Sequence, residues 1–304
     1  MSLLSAIKYV AHSLARLPLR RTRLHADDQA ASQFWHYIDG GGSVVAYEHG
    51  QPLNQFGVDS YVGGVHSGPT LDRIYMMPAG ISDRPTWHYI TNSGAVVGYG
   101  HGQTNVVRFA YSGGAYSRTL NRIYLVPAMQ SAEDTWHYID AANGSVVGYQ
   151  HGTRGVVNAA YVGGVFSPTL NRIYMIPFLQ ARQIHWHYIS ANGSVVEYRH
   201  GQPDTVGDRA YHGGVYSPIN DRIYMMPYDQ AIQSTWHYID GHTGLVVGYQ
   251  HGQTGMVTGA YNRGVYSPTL NRIYMTPCKD PDTPPDLEPV PPPPPNPCTP
   301  MCCQ

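Results

Sequence analysis

The stretch Trp136-His137-Tyr138-Ile139-Asp140-Ala141-Ala142-Asn143-Gly144-Ser145-Val146-Val147-Gly148-Tyr149-Gln150-His151-Gly152 decides the fold. It holds two short aromatic and β-branched runs separated by Asn-Gly. Runs of this kind, bounded by Gly, Asn and Asp, read as strands, and Asn-Gly suits a tight hairpin turn that needs positive φ. The hairpin returns along the chain. Trp-His-Tyr-Ile begins at Trp35, Trp87, Trp136, Trp186 and Trp236, in steps of 49 to 52 residues, and Asn-Gly recurs at Asn192-Gly193.

Outward from it lies a second hairpin. A glycine-rich run such as Tyr161-Val162-Gly163-Gly164-Val165 leads through Ser-Pro-Thr-Leu-Asn to Arg-Ile-Tyr, with its arginine at Arg73, Arg122, Arg172, Arg222 and Arg272. One repeat is therefore four short strands in about 50 residues, the arithmetic of a β-propeller blade. Within Trp-His-Tyr-Ile, Trp and Tyr face one side and His and Ile the other. Both sides are bulky, so the strand needs burial on both faces, which a blade between two neighbours supplies. The Gly-Gly pair suits the strand nearest the axis, where backbones crowd.

The expected fold is all-β: a five-bladed β-propeller of four-stranded blades over residues 31–278. The chain enters at a third strand, Trp35, and leaves after a second strand, near Pro277. The half-blade Tyr261 to Pro277 is therefore expected to complete the one begun by Trp35 to His49, closing the ring and removing two exposed sheet edges.

Residues 1–30 form a basic arm with Lys8, Arg16, Arg20, Arg21 and Arg23. Leu3, Leu4, Ile7, Val10 and Leu14 fall at helical spacing, so an amphipathic helix of the organellar-targeting kind, a short docked helix and a disordered arm all stay open. Residues 279–304 carry five consecutive prolines, Pro291 to Pro295, and Cys298, Cys302 and Cys303. This is expected to be a disordered extended tail, or a spacer or ligand for SH3- or WW-like grooves. With Cys278 these are the only cysteines, so the repeats carry no disulfide framework.

Composition narrows the function. The 304 residues have a net charge of -1 and only 13% charged residues, with 25 Tyr against 5 Phe. That excludes a basic nucleic-acid binder and an acidic solvating chain. No apolar run is long enough for a transmembrane helix.

Ten histidines recur: His36, His88, His137, His187 and His237 after the Trp, and His49, His101, His151, His200 and His251 before a Gly. Metal ligands must converge within about 2 Å of one ion. Equivalent residues on separate blades lie around a ring, so these histidines are expected to be structural hydrogen-bonding groups, and neither metal nor cofactor is expected. The repeated Arg-x-Tyr is read alike, with the guanidinium holding loop carbonyls and the preceding Asn or Asp closing the turn. Asp39, Asp140 and Asp240 give way to Thr91 and Ser190 in other repeats, which suits turn capping. No nucleophile elbow, phosphate loop, dinucleotide fingerprint or zinc-protease motif is present, so no enzyme is expected. Departures from the repeat are few: His66 and Phe166 in a Tyr position, Glu197 in a small-residue position, and Asp59-Ser60, Arg108-Phe109 and Asp208-Arg209 before the first strand.

The order Gly63-Gly64, Tyr75, Trp87 resembles the kelch repeat, with longer intervals. Five blades of about 50 residues are similar to the lectin propellers of the tachylectin type, a likeness of blade count and repeat length. It implies binding of glycans or protein partners.

The expected function is a non-catalytic multivalent binding module, carbohydrate-binding through equivalent loops between blades. Aromatic faces with neighbouring amides suit sugar rings, and several weak sites on one rigid disc gain avidity. The contact residues are expected in the third-to-fourth-strand turns and the loop after His-Gly: Asn143, Asn192, His242, Gln103, Gln202 and Gln253. The alternative is a protein-interaction scaffold or structural surface protein using one face of the disc. Equal loops on all blades favour repeated sites, while one deviant blade favours a single partner or a catalytic site.

Overall fold

The computed structural model describes residues 29–278; the basic arm and the proline-rich tail fall outside the described residues. Twenty strands follow one another. β1 (Phe34–Ile38) and β2 (Val44–Glu48) form a two-stranded sheet. Four complete four-stranded antiparallel sheets follow. They are β3–β6 (Tyr61–His66, Ile74–Pro78, Thr86–Ile90, Val96–Gly100) and β7–β10 (Tyr111–Ser117, Arg122–Pro127, Thr135–Asp140, Val146–Gln150). Next are β11–β14 (Tyr161–Ser167, Arg172–Pro177, His185–Ile189, Val195–Arg199) and β15–β18 (Tyr211–Ser217, Arg222–Pro227, Thr235–Asp240, Val246–Gln250). β19 (Tyr261–Ser267) and β20 (Arg272–Pro277) close the series as a second pair.

The four strands of a repeat fall where the sequence places them, and the local reasons are visible. The residue before each repeated arginine is left-handed: Asp72, Asn121, Asn171, Asp221 and Asn271 all have φ between 46° and 50°, or 51° at Asn171. Asn and Asp tolerate that region best among non-glycine residues. In the other hairpin Gly144 sits at φ 84° and Gly193 at 88°. Each complete first strand carries a bulge after its Tyr, as where Tyr111 pairs with Pro127 but Gly114 with Leu125.

Both faces of the Trp-His-Tyr-Ile strand are indeed covered: Trp136, His137 and Ile139 are all buried. The core lies between sheets. Tyr75, Met77 and Trp87 of one blade meet Ala110, Tyr111, Ile123 and Ile139 of the next. Tyr174, Ile176 and Trp186 meet the matching set around Tyr211. Burying such side chains contributes roughly 1.5–3 kcal/mol each.

The expected joining of the terminal half-blades is not formed, so there are six sheets rather than five. Ile38 is 72% exposed and Val44 69%, whereas their counterparts Ile139 and Val146 are 0% and 7%. The reason lies in connectivity. β1–β2 is anchored through Trp35 on Phe56 and Val96, and β19 packs on β15 and β16. No turn links β20 to β1, so their pairing must bear the loop-closure entropy of the whole array.

Candidate functional site: the grooves between blades

The two histidine sets are tied into the framework. His49, His101, His151, His200 and His251 pack against the Trp of their own hairpin, with ring centroids 4.1–4.6 Å apart. In four of them Nε2 reaches a backbone carbonyl at 2.7–2.9 Å, those of Ser32, Arg84, Glu133 and Gln233. Nδ1 of every member accepts the N–H two residues on. That fixes the tautomer with the proton on Nε2 in those four.

The other set faces the first strand. The hydroxyls of Tyr61, Tyr111, Tyr161 and Tyr211 meet Nδ1 of His88, His137, His187 and His237. Burial, and then neighbouring histidines, push each imidazole down to about 4. These rings are neutral at physiological pH.

Their Nε2 atoms point toward the rim, where that of His88 meets Gln55 Oε1 at 2.9 Å and that of His237 meets Thr205 Oγ1 at 2.9 Å. Beside them runs the fourth strand of the same blade, at Gly98, Gly148 and Gly248. A Cβ there would lie 3.3–3.4 Å from Nε2, so a side chain at these positions would crowd the imidazole. The groove wall comes from the preceding blade. Gln51, Gln103 and Gln202 donate through Nε2 to the carbonyls of Val96, Val146 and Val246 at 2.9, 2.9 and 3.1 Å. Their Oε1 atoms stand 3.1, 3.1 and 3.4 Å from the same glycine Cβ positions. The groove at Gln202 runs along Leu245–Gln250 with a volume of about 470 Å³.

Each expected site residue can now be placed. Gln103 and Gln202 wall grooves and also clasp blades together. Gln103 reaches Val146, three residues after Asn143, and Gln202 reaches Val246, four after His242, so these pairs border the same strands. Asn143 Oδ1 accepts the Ser145 N–H, and Asn192 Oδ1 accepts that of Ser194. His242 follows the Asp240 cap and has Nδ1 3.4 Å from Asp221 Oδ2. Gln253 is exposed. The repeated arginines differ from expectation. Instead of holding loop carbonyls, Arg73, Arg122, Arg172 and Arg222 lie 4.2–4.4 Å over Tyr89, Tyr138, Tyr188 and Tyr238. A guanidinium stacks on an aromatic face as readily as it forks to oxygens.

One groove departs from the others at three positions. Thr153 replaces the wall glutamine, Glu197 the groove glycine and His185 the threonine of Thr86, Thr135 and Thr235. Glu197 pairs with His187 across β13 and β14. Its carboxylate stands 3.3 Å from His185 Nδ1 and 3.8 Å from His187 Nε2, which is buried without a hydrogen-bond partner. Sequence reading noted Glu197 but not its neighbours; what marks them is that all three changes face one groove. Among the described residues no group of three His, Cys, Asp or Glu side chains is arranged to hold a metal ion, and no helix is long and apolar enough to cross a membrane.

No family model matches the chain, and no curated protein does. Solved structures do. A streptogramin B lyase matches with a TM-score of 0.55 and 15% identity, over 81% of this chain and 70% of that one. Virginiamycin B lyase from Staphylococcus aureus matches at 0.53 and 12%, over 82% and 72%. A catalytically inactive variant of that lyase with quinupristin matches at 0.53 and 13%, over 81% and 72%. The chain shares their repeated four-stranded, propeller-type fold. The likeness also corrects the expectation that no enzyme is present. This architecture carries lyases, and an active site assembled from separate blades leaves no contiguous motif, so missing signatures do not exclude catalysis.

Proposed function

We propose that the protein is a multivalent binding module that takes carbohydrate in the grooves between blades, as lectin propellers of the tachylectin kind would. The observation that carries this reading is the repeated groove of Gln103 with Gly148 and Gln202 with Gly248. Its glutamine keeps Oε1 beside the groove glycine, and at Gln202 a groove of about 470 Å³ is lined by His200, Thr235 and Leu245–Gln250. That falls in the usual range for small-molecule sites. Asn143, Asn192 and His242 would supply polar contacts from the turns, and Gln253 the groove of the fifth blade. That blade would form when β20 pairs with β1, setting Ile273 against Ile38 as Ile123 is set against Ile139. A glycan-array screen of the full chain tests this, followed by the same screen with Q103A and Q202A. Weakened binding in both variants supports the reading, and unaltered binding sinks it.

A second reading rests on Glu197. With His185 and His187 it makes one groove unlike the rest, and a carboxylate beside two imidazoles suits proton transfer or recognition of a single ligand. Glu197→Gly restores the common groove. Loss of all ligand binding or turnover in that variant favours this second reading over the first.

A further inference from the structure

The five inner strands line a channel of about 150 Å³ along the axis of the array. Its wall is glycine, supplied in pairs by β3, β7, β11 and β15. In β19 the first glycine of the pair is replaced by Arg263. The replacement carries strain, because Arg263 keeps a left-handed φ of 71°. Glycine adopts that region freely, and other residues do so at a cost of about 1–3 kcal/mol.

The side chain stays inside. A Cβ on Gly213 would lie 3.4 Å from Arg263 Cα, and one on Gly63 would lie 3.0 Å from its Nη1. The arginine therefore spans the channel from β19 toward β3. No acidic residue lines the channel, and among the described residues the guanidinium has no hydrogen bond or ion pair. Burial lowers its pKa, but a guanidinium keeps its proton at neutral pH. Two further polar groups collect beside it. The side chains of His212 and Asn262 pair with each other there, where β3 and β11 carry Val62 and Val162. Burial, then the Arg263 charge, hold His212 down to about 4, so it stands there as a neutral imidazole.

A half-buried cation without a counter-ion is destabilising, and four of the five inner strands avoid it by using glycine. We infer that the axial channel binds one small oxyanion, such as phosphate, sulfate or a carboxylate, on the Arg263 guanidinium. The planar guanidinium offers two parallel N–H donors to such a group. The volume suits an anion of a few heavy atoms. The site is separate from the rim grooves and stands or falls independently of them.

The test is calorimetric titration of the full chain with inorganic phosphate, sulfate and acetate near pH 7, on wild type, R263K and R263G. R263G places in β19 the residue the other inner strands carry, so it folds. The expected result is one saturable site per chain for at least one of the three anions. Affinity falls several-fold in R263K and at least tenfold in R263G. Thermal melting provides a second readout. Without oxyanion, R263G melts at or above the wild type, and addition of the bound anion raises only the wild type. Absence of saturable binding for all three anions overturns the inference. So does binding that R263G retains, or an equal thermal shift in both proteins.

Discussion

The four neutral histidines beneath the grooves make stability steeply dependent on pH. His88, His137, His187 and His237 are at most 1% exposed, and each is held near 4 against an ordinary value of 6.5. Because the folded value lies below the unfolded one, the unfolded chain binds more protons between pH 6.5 and 4. Stability is therefore full above pH 6.5 and is lost as the pH falls toward 4. At pH 5 the linkage amounts to about 2 kcal/mol per histidine, or about 8 kcal/mol for the four. That is comparable with the whole stability of a typical domain, about 5–15 kcal/mol. His101, His151 and His200 are shifted in the same direction, also mainly by burial. Urea unfolding at pH 7.5, 6.5, 5.5 and 5.0 measures the effect. A loss below about 2 kcal/mol between pH 7.5 and 5.0, one histidine's share, would refute the argument that these imidazoles are buried neutral.

Three further expectations concern single sites. Gly94 and Gly144 share a φ near 85°, but a Cβ on Gly144 would stand 2.6 Å from Tyr75 Oη while one on Gly94 meets nothing. Gly94→Ala should cost about 1–2 kcal/mol by denaturant unfolding, and Gly144→Ala clearly more; equal costs would mean the turn does not pack on the neighbouring blade. Gln103→Ala removes the 2.9 Å bond to Val146 and should cost about 1 kcal/mol, read as a lower urea midpoint with unchanged slope. Glu197→Gly should leave the melting temperature nearly unchanged, since glycine holds the same place in three other blades; a large drop would make Glu197 a structural partner of His187 instead of a groove residue.

Most of the fold was legible because the repeat states it five times. The period, the bulky Trp-His-Tyr-Ile strand and the Asn or Asp before each arginine all reappear as blades, two-sided burial and left-handed turns. Partnerships between distant strands were harder to read. The Tyr111–His137 pair joins the first and third strands of one blade, and only the joint recurrence of Tyr and His hints at it. Gln130, Gln180 and Gln230 are buried polar staples, each accepting from one loop N–H and donating to two carbonyls. In the sequence they look like ordinary loop residues. Arg263 was plainly visible as a break in Gly-Gly, but its meaning depends on five strands meeting at one axis. The closing blade expected from arithmetic on half-repeats is not formed: β1–β2 and β19–β20 remain separate sheets, since strands pair where a turn connects them.

The candidate site was partly legible. Gln103 and Gln202 stand beside grooves, and each also clasps the next blade. Asn143 and Asn192 cap turns as their residue types dictate. Whether such residues also contact a ligand depends on which hydrogen-bonding valences packing leaves open, and a linear sequence does not encode that.

The most direct test of the central claim is the number of ligand molecules bound per chain. The full chain would be titrated calorimetrically with the strongest glycan from the array. The account predicts a stoichiometry of two or more, reduced in Q103A and again in the Q103A/Q202A double variant. A single site that survives both substitutions would contradict it.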